Sequence, residues 1–159
     1  KAAQAYGVSV EAEVGQVGYE DGEPSEGTTR EEAQTFAAET EVDALAISVG
    51  NLHLQTKNHA SIDWDRLAEI EDVTACPLVL HGGSGIKLDD RTLLASQHRV
   101  RKLNVGTEFR RRYGLTLRQV LADDPEIFDR SDIMHQSVEG VHELAVAMLS
   151  QSWTDASPG

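Results

Sequence analysis

A histidine followed at once by a glycine-rich turn is the feature of this sequence best suited to chemistry. His81 follows the apolar run Leu78–Leu80 and precedes Gly82, Gly83 and Ser84. The imidazole can bind a metal ion, and such a turn exposes backbone N–H groups that can bind an anion. A metal ligand beside an anion site is typical of sugar-phosphate chemistry. The pattern also fits a structural histidine at the end of a strand, and this alternative stays open.

The composition limits the classes of function. The chain has 159 residues, 40% of them hydrophobic, and a net charge of -13, which indicates about one domain with a real core. The acidity argues against nucleic acid as a partner. No apolar run of roughly 18 residues and no signal-peptide pattern are present, so we expect no membrane partner and a cytoplasmic protein. An acidic surface repels a phosphorylated substrate, so a phosphate site here needs local N–H groups, cationic side chains or a metal ion.

The elements that must position these residues follow a strand–helix alternation. Four apolar runs, at 8–14, 44–49, 78–80 and 103–105, alternate with helical patterns. The first helix is predicted at 30–40, with a capping box at Thr29. A second is predicted to begin at Asp63 with Leu67 and Ile70 inward, and a third to be capped by Asp89 and Asp90 with Leu93 and Leu94 inward. Two further helices are predicted at 108–121 and 131–149. The opening KAAQAYG reads as the last turns of a helix that stops at Gly7, as though the true start lay upstream. Cys76, the single cysteine, is predicted to be an inert core thiol.

This alternation predicts an α/β fold with parallel strands and right-handed helical crossovers. Four strands do not close a barrel, and a complete (β/α)8 TIM barrel takes about 250 residues. The chain is therefore predicted to be the second half of such a barrel, a single partial domain over 1–159 with a frayed tail at 152–159.

Four motifs together resemble the class II ketose-bisphosphate aldolases, the metal-dependent lyases that split fructose or tagatose bisphosphate. They are VEAEVG at 10–15, DALAISVGNLH at 43–53, LVLHGGSG at 78–85 and KLNVGTE at 102–108, in the order of that family. The match runs from the first residues to about Leu149 and covers about the C-terminal three-fifths of such an enzyme. The resemblance implies a zinc ion that acts as a Lewis acid, with a second or a monovalent cation left open, and cleavage to dihydroxyacetone phosphate and an aldehyde.

The resemblance also implies the ligands of the metal. His53 and His81 match two of the three zinc histidines of the family, and both follow the ends of predicted parallel strands. Glu13 matches a glutamate near the metal. Glu11 lies on the same face as Glu13 and is expected to brace a neighbouring lysine or histidine. For an acid/base glutamate in the loop just downstream, the candidates are Glu20 and Asp21; a solvated charge pair is the alternative.

Two loops match the phosphate-binding loops of the family. Glycines let the backbone approach an anion, and a helix that begins near Glu108 would point its positive end at the ligand. A turn with Thr107 as a helix N-cap is the structural alternative for the second loop. The residues expected to bind substrate are Gly82, Gly83, Ser84, Asn104, Val105, Gly106 and Thr107.

Some of the family pattern has no match in this chain. The first zinc histidine and the catalytic aspartate beside it lie on a strand that precedes the matched segments. The other histidines, at positions 59, 98, 135 and 142, read as surface or packing residues. Leu54 replaces a usual glycine, and the loop from Gly18 to Thr28 is shorter than usual. We therefore expect the 159-residue chain alone to show little or no aldolase activity, and the longer protein to form a dimer or tetramer. A non-catalytic or partner-dependent half-barrel that binds a sugar phosphate is the alternative.

Overall fold

The computed structural model describes residues 2–15, 18–19, 27–50, 52–53 and 61–153; the side chains at 18–19, 52–53 and 151–153 are outside that description. The strands are β1 (Glu11–Glu13), β2 (Gly18–Tyr19), β3 (Ala44–Ile47), β4 (Leu52–His53), β5 (Leu78–Leu80) and β6 (Val100–Leu103). The helices are α1 (Arg30–Thr40), α2 (Trp64–Val73), α3 (Leu88–Gln97), α4 (Thr107–Asp123) and α5 (Arg130–Trp153), with 3-10 turns at Gln4–Tyr6 and Gly83–Gly85.

The main sheet has four parallel strands in the order β1-β3-β5-β6, which confirms the predicted strand–helix alternation. A separate two-stranded parallel sheet pairs β2 with β4. The strands of the main sheet run in the order of the sequence, so each crossover places its helix on the sheet and carries the chain one strand along. The carboxyl ends of β1 and β5, which carry Glu13 and precede His81, therefore lie at the same end of the main sheet, whereas His53 ends β4 of the separate sheet.

The core lies between the sheet and the helices that cover one of its faces. Leu45, Ile47, Leu78 and Leu80 are fully buried there, together with Leu67 and Ile70 of α2 and Leu94 of α3. α1 spans the predicted residues and begins with the predicted capping box, in which Thr29 and Glu32 bond each other's backbone N–H groups. Asp63 caps α2 as predicted.

Three local predictions were wrong. α3 begins after Lys87, with Asp89 and Asp90 inside its first turn, and Leu93 is 38% exposed whereas Leu94 is buried. β6 begins at Val100, three residues before the predicted strand, and a bulge interrupts its pairing with β5. β1 covers only Glu11–Glu13 of the predicted 8–14. Gly7 ends a single 3-10 turn in the left-handed conformation, as its predicted stop role requires.

Residues 1–105 and 106–159 form two compact units. In the second, α4 and α5 pack together, and an added Cβ at Gly140 of α5 would lie 2.2 Å from the hydroxyl oxygen of Thr116 on α4. The glycine is required by that close approach between the helices. Among the described residues, no helix has the length and apolar character needed to cross a bilayer. The expectation of one partial barrel domain over 1–159 stays a prediction.

Candidate metal and phosphate site

One face of the sheet carries charged groups where the other carries the apolar core. The register sets Glu13, Ala46, Val79 and Lys102 side by side across β1, β3, β5 and β6, so these four residues face the same side. His81 lies two residues beyond Val79 and faces that side as well. The small side chains of Ala44 and Ala46 between the outer strands leave room for the charged groups to meet.

His81 lies between the two glutamates of β1. Its Nδ1 atom is 3.4 Å from Oε1 of Glu13, and its Nε2 atom is 3.7 Å from Oε1 of Glu11. Nitrogen and oxygen ligands on a tetrahedral zinc ion lie about 3.3–3.5 Å apart, because each bond to zinc is about 2.0–2.2 Å long. His81 and Glu13 are of residue types that bind zinc, and a distance of 3.4 Å between their nitrogen and oxygen is compatible both with two ligands of one ion and with a direct contact between the two side chains.

Glu11 is held by a lysine from the opposite edge of the sheet. Nζ of Lys102 donates hydrogen bonds to Oε1 and Oε2 of Glu11 at 2.9 and 2.7 Å. These bonds are the chief reason why the pKa of Glu11 lies below its ordinary value; partial burial opposes the shift, and the nearby His81 adds to it. The structure thus meets the expectation that Glu11 braces a lysine or histidine. Sequence analysis did not single out Lys102, although it opens the KLNVGTE motif.

The turn after His81 is joined to the loop after β6. The N–H of Asn104 donates to the carbonyl of Leu80 at 2.9 Å, and the N–H of Gly83 donates to the carbonyl of Asn104 at 3.0 Å. An added Cβ at Gly83 would lie 3.1 Å from the oxygen of Asn104, so this close approach favours a glycine. Gly82 takes the left-handed conformation that turns the chain at the strand end, and Ser84 is buried. The first predicted loop therefore contacts Asn104 and Val105, the two residues of the second loop that belong to the first unit.

The second unit carries a cationic groove at the start of α4. Gly106 is the N-cap and Thr107 the first helical residue, which argues against the alternative of Thr107 as N-cap. The groove has a volume of about 470 Å³ and is lined by Thr107, Arg110, Arg111, Gly114, Leu115 and Arg118. Nη2 of Arg110 lies 3.5 Å from the hydroxyl oxygen of Thr107. Arginine side chains are the cationic groups that an acidic chain needs in order to hold a phosphate.

A buried threonine that sequence analysis missed ties β1 to β3 at the same strand ends. The hydroxyl of Thr28 donates to the carbonyl of Val14 at 2.7 Å and accepts from the N–H of Ser48 at 2.8 Å. The N–H of Thr28 donates to the carbonyl of Ser48. The side chain has no exposure to solvent. Thr28 therefore fixes the loop after β1 to the strand that leads to the second predicted metal ligand.

That second ligand, His53, is described through its backbone. His53 ends β4 and pairs in register with Tyr19 of β2, which immediately precedes Glu20. Glu20, Asp21, Leu54 and His59 lie outside the described residues. Where side chains are described, at 2–15, 27–50 and 61–150, no group of three His, Cys, Asp or Glu residues could hold a metal ion.

The other described histidines have structural surroundings. His98 stacks on Trp64 with ring centroids 5.3 Å apart, and its Nδ1 atom lies 2.9 Å from a carboxylate oxygen of Glu71. His135 and His142 are exposed on α5. Cys76 is half-buried, and burial, together with the nearby Asp43 carboxylate, raises the pKa of its thiol. A raised pKa leaves less thiolate at neutral pH, in agreement with an inert thiol.

Parallel strands joined by helices, with an imidazole and a carboxylate at their carboxyl ends, are the arrangement found in enzymes of the TIM-barrel type. The family model of class II fructose-bisphosphate aldolases matches residues 1–154. A fructose-bisphosphate aldolase of Geobacillus stearothermophilus is 32% identical over 153 residues, which make up 94% of this chain and 53% of that protein. The chain therefore belongs to the class II fructose-bisphosphate aldolase family.

Solved structures agree on the fold. The YdjI aldolase of Escherichia coli K12 superposes with a TM-score of 0.76 at 25% identity, covering 98% of this chain and 53% of that one. A fructose-bisphosphate aldolase of Campylobacter jejuni gives a TM-score of 0.71 at 19% identity, over 93% of this chain and 52% of that one. The chain thus spans about half the length of the relatives that it matches, and its fold is that half of a TIM barrel.

Proposed function

We propose that this chain forms the metal- and phosphate-binding half of an aldolase that cleaves a ketose bisphosphate, fructose or tagatose, to dihydroxyacetone phosphate and an aldehyde. The observation that carries the proposal is the pair His81 and Glu13, whose nitrogen and oxygen lie 3.4 Å apart at the strand ends. Family membership supports the same reaction. His53 is the further protein ligand that we propose. Zinc suits this imidazole–carboxylate set, and bound there it would supply a Lewis acid for the substrate carbonyl.

The chain's own residues would bind and orient the substrate. Asn104 lies beside Gly83 at the strand ends and can donate a side-chain hydrogen bond to a hydroxyl or carbonyl oxygen of the sugar. The residues that we propose to bind phosphate are Gly82, Gly83 and Ser84 of the first loop and Val105, Gly106 and Thr107 of the second. In the second unit, Thr107 and the arginines of α4 line a groove that supplies positive charge. Glu20 or Asp21, just beyond β2, would move a proton on the other side of the broken bond.

The reaction also needs an acid/base group that no residue of the matched motifs supplies. We therefore propose that the 159-residue chain alone turns over little or no substrate, and that the working enzyme is a homo-oligomer, a dimer or tetramer, in cytoplasmic carbohydrate metabolism such as glycolysis. A non-catalytic half-barrel is the competing function. It would bind a sugar phosphate and never turn it over.

Two measurements test the proposal. Zn²⁺ binding to the purified chain, measured by competition with a chromogenic chelator, is expected in the wild type, to be lost in His81→Ala and to be kept in His142→Ala, whose histidine is 66% exposed on α5. Retro-aldol assays with fructose and tagatose bisphosphates follow, on the chain alone and on a form preceded by a strand that ends in Asp-His. Turnover is expected only from the longer form. Zinc binding that ignores His81→Ala, or robust turnover by the chain alone, would contradict the proposal.

A further inference from the structure

We propose that Arg66, in the first turn of α2, is a positioning residue that holds the loop after β1 and the loop after β3 in one fixed arrangement. The inference rests on the proposed function, in which the first loop supplies Glu20 or Asp21 for proton transfer and the second supplies His53. The contacts that carry it lie at the described ends of the two loops.

The loop after β1 begins and ends at glycines in the left-handed conformation. Gly15 has a φ of 82° and Gly27 a φ of 75°. The hydroxyl of Thr28 closes the base of the loop, because it donates to the carbonyl of Val14 at 2.7 Å. An added Cβ at Gly15 would collide with the same hydroxyl oxygen. The two ends of this loop therefore pack directly against each other.

Arg66 lies against the second of these ends. An added Cβ at Gly27 would overlap Nη1 of Arg66 and would lie 3.0 Å from its Cζ atom, so the guanidinium group occupies the space in which a side chain at position 27 would begin. The carbonyl oxygen of Ser48, which follows β3, lies 3.1 Å from the same position. The side chain of Arg66 is only 34% exposed. Arg66 therefore contacts the first loop where it returns to the sheet beside the end of β3.

The loop after β3 is closed at its base by Asp63, the N-cap residue of α2. The N–H of Asp63 donates to the carbonyl of Val49 at 2.9 Å, and an added Cβ at Gly50 would collide with the carbonyl oxygen of Ser61. Oδ1 of Asp63 accepts from the N–H of Arg66 at 3.0 Å, and Oδ2 forms an ion pair with Nε at 3.5 Å. Asp63 thus connects the base of the second loop to the residue that contacts the base of the first.

The two loops also meet beyond their bases. Gly18–Tyr19 pairs in parallel with Leu52–His53, as β2 and β4. A parallel pair of two residues on each side is not stable in isolation, so it requires that the loop ends be held in register. The contacts of Arg66 with both bases supply that restraint. Loss of the guanidinium group should therefore open the pairing of β2 with β4 and leave the main sheet folded.

Hydrogen exchange, measured by mass spectrometry on the whole chain, tests this role. Arg66→Ala should raise the amide exchange rates of peptides that contain β2 and β4 about tenfold, with exchange in β3 and β5 unchanged. Asp63→Asn keeps the helix cap but removes the charge that faces Arg66, and it should raise the same rates about threefold. Arg30→Ala, at the exposed start of α1, is the matched control and should change neither. Circular dichroism verifies folding; if Arg66→Ala does not fold, Arg66→Met and Asp63→Asn carry the test with the same ordering.

Gly27→Ala disturbs the same contact from the other side. Its methyl group must displace the guanidinium of Arg66, so the exchange rates of β2 and β4 should rise as they do in Arg66→Ala. The combined variant should raise them by less than the product of the two single effects, because loss of the guanidinium also removes the collision. Gly7→Ala is the matched control. It introduces alanine at a left-handed position with no neighbouring atom within 4 Å of the Cβ, and it should leave both strands unchanged.

Three exchange results would overturn the positioning role. They are unchanged rates for β2 and β4 in a folded Arg66→Ala protein, independent effects of Gly27→Ala and Arg66→Ala, and equal increases throughout the main sheet, which would report a general loss of stability. None of these results bears on the zinc-binding and retro-aldol assays of the proposed function.

The longer form used in the retro-aldol assay provides a second readout. There Arg66→Ala should lower kcat about tenfold and change KM by less than about twofold, because a residue that orients the loops acts on the chemical step more than on substrate binding. An unchanged kcat would overturn the positioning role. A longer form that is inactive as the wild type would overturn the proposed function, and the exchange rates would still decide whether Arg66 holds the two loops together.

Discussion

Lys102 and Glu11 form a salt bridge across the whole width of the main sheet. Nζ of Lys102 lies 2.7 and 2.9 Å from the two carboxylate oxygens of Glu11, although β3 and β5 separate their strands. Neighbouring strands are about 4.8 Å apart, so the two side chains must reach over about 14 Å of backbone between them. They can do so because Ala46 and Val79, the residues in register between Glu13 and Lys102, are short. The paired charges therefore depend on the small residues beneath them.

Ala46→Leu tests that dependence. A leucine side chain at this buried position would occupy the space over which the charged side chains meet, so we expect a loss of about 1–3 kcal/mol in the free energy of unfolding and weaker Zn²⁺ binding. Urea unfolding and chelator competition measure the two effects. Ala38→Leu, on the exposed side of α1, is the matched control and should change neither. Full Zn²⁺ affinity in a folded Ala46→Leu protein would show that the space is not part of the site.

The salt bridge should also make stability depend on pH in the acid range. The pKa of Glu11 is lowered in the folded protein, so its contribution is present above about pH 4.5 and is lost as the pH falls through the folded value. At pH 7, Lys102→Met should lose about 0.5 kcal/mol of unfolding free energy, a small value because the lysine is half exposed. The difference from the wild type should shrink as the pH falls below about 4.5 and Glu11 becomes protonated. A difference that stays constant from pH 7 to pH 3 in urea titrations would contradict the assignment.

Thr28→Val removes one hydroxyl and keeps the shape of the side chain. The N–H of Ser48 and the carbonyl of Val14 would lose their buried partner, so we expect a loss of about 1–3 kcal/mol in the free energy of unfolding. Thr35→Val, on the exposed surface of α1, is the control and should stay within about 0.5 kcal/mol of the wild type. Equal stability of the two variants would mean that the hydroxyl of Thr28 contributes nothing.

Arg110→Gln tests whether the groove on α4 holds a phosphate. Loss of a charge-assisted hydrogen bond to the anion should weaken the binding of dihydroxyacetone phosphate about tenfold in titration calorimetry. Arg112 is exposed on the same helix but does not line the groove, so Arg112→Gln removes the same charge and should weaken binding much less. Equal losses in the two variants would indicate a general effect of net charge and no specific phosphate contact at the groove.

Local patterns were enough to predict much of this fold. The apolar run Leu78–Leu80 forms β5 at the predicted residues, and the capping box at Thr29 begins α1 where predicted. Both depend on interactions within a few residues, which the sequence displays directly. The family motifs likewise identified His81 and Glu13 as neighbours before any distance was known. Leu93 was assigned to the wrong side because helical periodicity alone does not show how wide the buried stripe of α3 is.

The sequence by itself determined the family, the order of strands and helices, and the identity of the imidazole and carboxylates. Only the tertiary structure decided which side chain contacts each of these groups. Lys102 lies 91 positions from Glu11 in the sequence, and the side of the sheet that it faces depends on a bulge in β6. The residue pattern of Val100–Leu103 does not predict this bulge. In the sequence, the two charged residues Arg101 and Lys102 indicate that the strand begins only after them. The long-range ion pair that satisfies Lys102 exists only once the strands have assembled, because its energy depends on side-chain geometry across the sheet.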